Sequence, residues 1–310
     1  MRLLNRHLIR AACAGLLLIA PARPALAQEF GRFAAGYIAI SVERPDRTTF
    51  PAYAIYPATR WGSAAALQRE SGPYPVVVFG HGYLSSPIQY AISFLWLASH
   101  GYVVVAPGSA VELFPSHDAY ADDFSYCLDA VEDLSRSRSS RLYRAIDRSA
   151  IGVAGHSMGG GAAILAATRD RRVGAVAVWA PAETLNVSAI EAAAHLRVPT
   201  RIVAASEDVI TPVGRHALPF FRNITVPSQI VAIRGASHCG FLDIPLPDAV
   251  CGPAEIPHRR QLLFARELVR SFFDFHLKRD AGAWSRAWGP VLREHPDLIT
   301  MVRPPVPVRP

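Results

Sequence analysis

The stretch IGVAGHSMGGGAAI, residues 151–164, decides how the rest of the chain is read. An apolar run, Ile151–Ala154, stops at Gly155, and a run of small residues starts after Met158. Between them one serine, Ser157, is flanked by Gly155 and Gly159. A strand that turns sharply into a helix needs small residues at both flanks, because side chains there would collide as the chain folds back. The same turn lifts the serine oxygen out of the backbone and leaves the next N–H at a helix start, so G-x-S-x-G is also the signature of a strained nucleophile. The pentapeptide alone fits both readings, and its surroundings must choose.

Outward from residue 151 the chain alternates. Short runs of Val, Ile and Ala at 76–82, 102–108, 173–181, 198–208 and 229–235 carry no polar face. Between them lie helical patterns at 89–101 (capped by Gly101), 122–136, 157–170, 214–224 and 257–280. Fully apolar strands separated by helices predict an α/β fold with a mostly parallel central sheet and helices on both faces. Two earlier strands are expected in GYIAISV and FPAYAIYPA. In such a sheet reactive groups gather at the carboxyl ends of the strands. Ser157 sits at one such end, which favours the nucleophile.

A neutral serine needs a base, and the base needs an acid to orient it. Asp208 closes the apolar run in AASEDVITP, and His238 follows the next run in RGASHCGF. The chain order Ser157, Asp208, His238 is the order of an α/β-hydrolase triad. Glu207, adjacent to Asp208, is a rival acid. His216 and His258 lie in helical patterns and read as solvated or structural; His156 reads as a wall of the site and His81 as a support for its own loop. Two backbone N–H groups are expected to receive the oxyanion, that of Met158 at the helix start and that of Tyr83 after the bend in VVVFGHGYLSS.

The ends and the cysteines set the context. Residues 1–27 have arginines at 2, 6 and 10, a short apolar stretch and ALA before the cut, which predicts a signal peptide and a secreted or periplasmic protein. Removing the leader's four arginines lowers the net charge from +7 to +3. No basic block remains, so no nucleic-acid partner is expected. Residues 28–282 read as the α/β-hydrolase catalytic domain and 283–310, ending in RPPVPVRP, as a loosely held tail. Cys239 and Cys251 flank one short segment and are expected to pair in an oxidising compartment, whereas Cys127 falls in an amphipathic helix as a buried thiol. No spacing suggests a metal site, and the chemistry requires no cofactor.

Three stretches, GHSMGGGAAILAA, VPTRIVAASEDVITPVGRHALPFF and IRGASHCGF, resemble the secreted bacterial α/β-hydrolases that include cutinase-like polyester hydrolases and the dienelactone-hydrolase-like and platelet-activating-factor-acetylhydrolase-like esterases. The resemblance covers about residues 74–278. It implies Ser157, Asp208 and His238 as the triad and Tyr83 as the aromatic oxyanion residue. The sequence departs from the polyester hydrolases in three places. Ala182 stands where they carry a tryptophan, VSAIEAAAHL adds a helix, and CGFLDIPLPDAVC replaces their segment after the histidine. The resulting expectation is a serine carboxylesterase acting on short to medium acyl esters, its pocket lined by Tyr83, Phe241 and Trp179. Polyester or lipid hydrolysis is the alternative within the class, and a ligand-binding protein on a hydrolase fold is the alternative outside it.

Overall fold

Val76–Val78 and Val103–Val105 are runs of β-branched residues with no polar side to show to water. A sheet built from them must be covered on both faces. In the computed structural model, which describes residues 30–244 and 246–305, both runs are fully buried. The expected leader, residues 1–27, lies outside the described residues.

The strands are β1 (Ala34–Glu43), β2 (Thr49–Ala58), β3 (Gly62–Ser63), β4 (Tyr74–Gly80), β5 (Val103–Pro107), β6 (Ile146–His156), β7 (Ala175–Trp179), β8 (Thr200–Ala205), β9 (Ser228–Ile233) and β10 (Leu298–Arg303). They form one sheet in the order β10-β9-β8-β7-β6-β4-β5-β2-β1-β3. The six strands from β5 to β9 in that order are parallel. β2 meets β5 antiparallel, β1 meets β2 antiparallel, and β10 meets β9 antiparallel.

The longer helices are α1 (Ala91–Ser99), α2 (His117–Arg136), α3 (Met158–Arg169), α5 (Ala217–Asn223) and α7 (His258–His276), with two single turns between them, α4 (Ala189–Ala192) and α6 (Asp248–Cys251). The period-two alternation of a strand splits the core in two. Val76 and Val78 face the layer of Tyr120 and Phe124 from α2, Ala162 from α3 and Phe220 from α5. Val77 and Phe79 face the layer of Phe94 from α1 and Phe272 and Phe273 from α7. Among the described residues no helix is long and apolar enough to cross a membrane.

Two stretches differ from the sequence reading. α2 begins at His117, five residues earlier than expected, because the Ser116 hydroxyl accepts from the Ala119 N–H and Asp118 complements the first turn. The C-terminal stretch expected as a loose tail is built into the sheet. Residues 284–287 and 290–293 form short helices (α8 and α9), and β10 pairs with β9 from Leu298–Ile233 to Arg303–Ser228. Two buried side chains explain this. Trp288 packs on Phe272 and donates to His276 Nε2 at 3.0 Å. Arg201, buried on β8, donates to the carbonyls of Leu268 in α7 and Ala287 in α8. Burial lowers its pKa to about 9, yet it stays charged at neutral pH and joins three segments at one point.

Candidate active site

The chain leaves β4, forms β5 on one side of it, and returns through α2 to form β6 on the other side. The order of strands therefore reverses at β4 and β6, and beyond the carboxyl ends of such a pair is where open α/β sheets form their crevice. The bend His81–Gly82–Tyr83 follows β4, and Ser157 follows β6.

Ser157 has φ 56° and ψ −121°, a conformation that L residues rarely adopt and that costs on the order of 1–3 kcal/mol. Four backbone bonds hold it there. Its N–H donates to the Trp179 carbonyl at 3.0 Å, and its carbonyl accepts from Gly160 at 2.9 Å, Gly161 at 3.1 Å and Ala182 at 2.9 Å. The flanking glycines are there for space. A Cβ on Gly155 would run into the Gly159 carbonyl, and one on Gly159 into the carbonyls of Gly80 and His81. α3 begins at Met158, so its N-terminal backbone opens onto the same crevice while the Met158 side chain is buried in the core. A Cβ on Gly82 would lie 3.4 Å from Ser157 Cβ, so the β4 bend passes directly beside the serine.

Asp208 lies three residues past β8 and is buried. Its Oδ1 accepts from the N–H groups of Ile210 at 2.9 Å and Thr211 at 2.7 Å. Its Oδ2 accepts from the Thr211 hydroxyl at 2.9 Å and from His238 Nδ1 at 2.8 Å. Burial by itself would raise the Asp208 pKa; the bond and charge of His238, with the two Thr211 donors, outweigh it and hold the carboxyl below the usual range. An ionised carboxylate only accepts, so the His238 Nδ1 carries a proton and its Nε2 is left with a lone pair. Glu207 turns away toward solvent and accepts from the Ser206 hydroxyl.

His238 opens a 3₁₀ turn, His238–Phe241, that is fixed from behind. Gln261 of α7 accepts from the Ser237 N–H at 3.2 Å and donates to the Ser237 carbonyl at 2.7 Å. Cys239 and Cys251 form a disulfide, and Cys127 is a buried free thiol. Thr211 and Gln261 had no signal in the sequence beyond the Asp-x-x-Thr spacing of an Asx-type turn.

The other histidines are occupied. The two ring nitrogens of His81 lie 2.9 Å from the Gly82 carbonyl and 2.8 Å from the Ser109 carbonyl, and the ring N–H donates to one of them. His216 Nδ1 accepts from the Glu183 N–H at 3.0 Å, and His258 Nε2 donates to the Leu242 carbonyl at 2.7 Å. Tyr83 is 46% exposed, and its hydroxyl donates to the Leu113 carbonyl at 2.7 Å, tying the bend to the loop before α2. Trp179 and Phe241, expected in the pocket lining, are instead buried and stacked on each other under α7, where the Trp179 indole donates to the Ala265 carbonyl. The loops at the strand ends carry exposed apolar residues: Leu84, Leu113 and Phe114, Leu185, Val209 and Ile210, and Ile244. Among the described residues no group of His, Cys, Asp or Glu is arranged to hold a metal ion.

A family model described as "PETase: PET hydrolase-like" matches residues 49–243, well over half of the sequence. The chain belongs to the PET hydrolase-like family. Its sheet and flanking helices are those of an α/β-hydrolase. The sequence is 32% identical over 181 residues to Cutinase 2 of Thermobifida cellulosilytica, covering 57% of this chain and 65% of that protein. It is 32% identical over 181 residues to Cutinase cut1 of Thermobifida fusca, covering 57% of this chain and 53% of that one. Lipase 1 of Moraxella sp. (strain TA144) is 26% identical over 175 residues, 53% of this chain and 51% of that protein. The chain thus spans between half and two thirds of the length of these curated relatives. The matched region of this PET hydrolase-like chain runs from β2 to just past His238, so it contains Ser157, Asp208, His238 and the Gly82–Tyr83 bend, while Gln261 and Cys251, which hold the His238 turn, lie beyond it.

Proposed function

We propose that this protein is a serine carboxylesterase in which Ser157, His238 and Asp208 form a triad. The observation that carries this reading is the His238–Asp208 bond of 2.8 Å, which leaves His238 Nε2 as an acceptor, together with the left-handed Ser157 beside the Gly82 bend. His238 Nε2 takes the proton as the Ser157 oxygen attacks an ester carbonyl. The N–H groups of Tyr83 and Met158 hold the oxyanion, each contributing roughly 3–4 kcal/mol in the transition state. His238 then gives the proton to the leaving alcohol. A water, deprotonated by the same ring, attacks the acyl-enzyme and releases the acid.

The loop residues around the crevice support an apolar ester. Phe114 is 86% exposed, and Leu84, Leu185 and Val209 are more than half exposed, an arrangement that suits an acyl chain or an apolar alcohol. Short to medium acyl esters are the expected soluble substrates. The same exposed rim favours a second reading, a water-insoluble polyester or lipid ester, in line with the names of the cutinase and lipase relatives. Export to an oxidising compartment accords with the leader-like residues 1–27 and the Cys239–Cys251 bridge.

The test combines a fluorophosphonate probe with p-nitrophenyl esters of rising chain length and a polyester film. Labelling that disappears in Ser157→Ala, with fastest turnover on short to medium esters, is the expected result. Folded parent protein that neither labels nor hydrolyses any ester would leave a ligand-binding role instead.

A further inference from the structure

One buried polar group near the crevice is outside the proposed triad and oxyanion donors. Tyr90 ends a 3₁₀ turn, Pro87–Tyr90, that leads into α1, and it is fully buried. Its ring packs against Phe79 and Phe94. Its hydroxyl reaches two groups on different strand ends: it accepts from the Gly82 N–H at 3.1 Å and pairs with His156 Nδ1 at 2.8 Å. Burial raises the tyrosine pKa, so the hydroxyl keeps its proton. Gly82 donates to one side of the oxygen, and the oxygen and His156 Nδ1 share a second hydrogen bond, so one oxygen joins both groups. Burial first, and the nearby His238 second, hold His156 well below the ordinary range, so the ring is neutral.

The placement of that ring gives the bond its consequence. His156 precedes Ser157 in the chain, and its ring centroid lies 4.5 Å from that of His238, tilted by 42°. A Cβ on Gly82 would touch Tyr90 Oη at 3.3 Å, Ser157 Cβ at 3.4 Å and His156 Nδ1 at 3.5 Å. The bend, the serine and the histidine beside the base thus surround one point, and the Tyr90 oxygen is the atom that bonds two of them. The Gly82 N–H is committed to this bond, which orients the bend so that the next N–H, that of Tyr83, can serve the oxyanion. A ring held by a hydroxyl on one side also gives His238 a fixed, uncharged wall during the step in which it becomes an imidazolium.

We propose that Tyr90 is a positioning residue for the ester hydrolysis proposed above: its hydroxyl locks the Gly82 bend and the His156 ring in one arrangement against His238, keeping oxyanion donor and base in register. The inference rests on that esterase reading. Tyr90→Phe removes one oxygen and preserves the ring packing. On a p-nitrophenyl ester it is expected to lower kcat by about tenfold while KM stays within about twofold, because the bond acts on the transition state. A purely structural role would instead lower the thermal midpoint and leave kcat of the folded fraction unchanged.

His156→Leu removes the hydroxyl's partner from the other end and guards against a poorly folding Tyr90 variant. It is expected to lose kcat to a similar degree, and combining the two is expected to add no more than about twofold, since one bond is being broken from both ends. Parent-like kcat in a folded single variant, or losses that multiply in the double variant, would overturn the proposal while leaving the esterase reading intact. A parent protein that hydrolyses no ester and resists the fluorophosphonate would fail the esterase reading itself, and this inference with it.

Discussion

At the scale of single residues, the site separates what a side chain is from where it points. Glu207 and Asp208 have the same chemistry and adjacent positions, yet only Asp208 turns inward to His238. Asp208→Asn is therefore expected to lower kcat by roughly 10³–10⁴, since the amide favours the wrong imidazole tautomer. Glu207→Gln is expected to stay within about twofold, and kinetics on one chromogenic ester compares the two. Thr211 supplies two of the donors that hold the Asp208 carboxyl low, and its hydroxyl also lies 3.1 Å from His238 Nδ1. Thr211→Val removes the hydroxyl alone. The Asp208 pKa then rises toward its ordinary 3.8, and NMR titration of the carboxyl is expected to show a higher value than in the parent. A carboxyl titration that does not move would mean the backbone donors suffice. Ser157 was legible because glycine spacing, strand end and helix start coincide within five residues. Thr211, Gln261 and Tyr90 were not, because their partners lie in other segments and meet them only in the folded chain.

At the scale of elements, the parallel strands were readable from their unbroken apolar runs, and the strand–turn–helix at Ser157 from its glycines. The glycine argument is testable at one position. Gly159→Ala pushes a methyl group into the carbonyls of Gly80 and His81, which are backbone and cannot swing aside. It is expected to yield little soluble protein, or protein lacking fluorophosphonate labelling, whereas Gly214→Ala, with open space around it, is expected to behave as the parent. β10 escaped the sequence reading because an edge strand, exposed along much of its length, leaves no continuous apolar run, and the proline-rich residues after it read as tail. Its pairing depends on Trp288 and Arg201, 10 and 97 residues away from Leu298 in sequence. The His238 turn is an element held redundantly. The disulfide closes a 12-residue separation, for which the chain-entropy model gives about 3 kcal/mol. Gln261 also holds it, as does Asp243, which accepts from Ser93 and from Arg266. Cys251→Ser is thus expected to lower the thermal midpoint by several degrees while kcat at 25 °C stays within a few fold. A dead but well-folded variant would show that the bridge sets the base directly.

At the scale of the whole molecule, six histidines share one physical condition. His81, His100, His117, His156, His216 and His276 are all pushed below their ordinary value of 6.5, in each case first by burial. His276 is the one whose environment sets a definite window. It accepts from the Trp288 indole, Arg201 adds a like charge nearby, and its pKa falls to about 4. In the unfolded chain the same ring binds a proton below pH 6.5, whereas in the folded chain it stays neutral until about pH 4. The stability that its burial contributes is complete above 6.5 and drains away as the pH falls, because the unfolded state takes up protons that the folded state refuses. At roughly 1.4 kcal/mol per pH unit, His276 alone removes on the order of 2 kcal/mol by pH 5. The urea midpoint is therefore expected to drop clearly between pH 7.5 and pH 5. In His276→Gln, whose amide oxygen can still accept from Trp288 but does not titrate, the drop is expected to be shallower by about that amount. Equal pH slopes for parent and variant would place the acid sensitivity in the other buried histidines. No slope at all would show that the folded chain admits these protons by local opening at the α7–α8 corner, without unfolding.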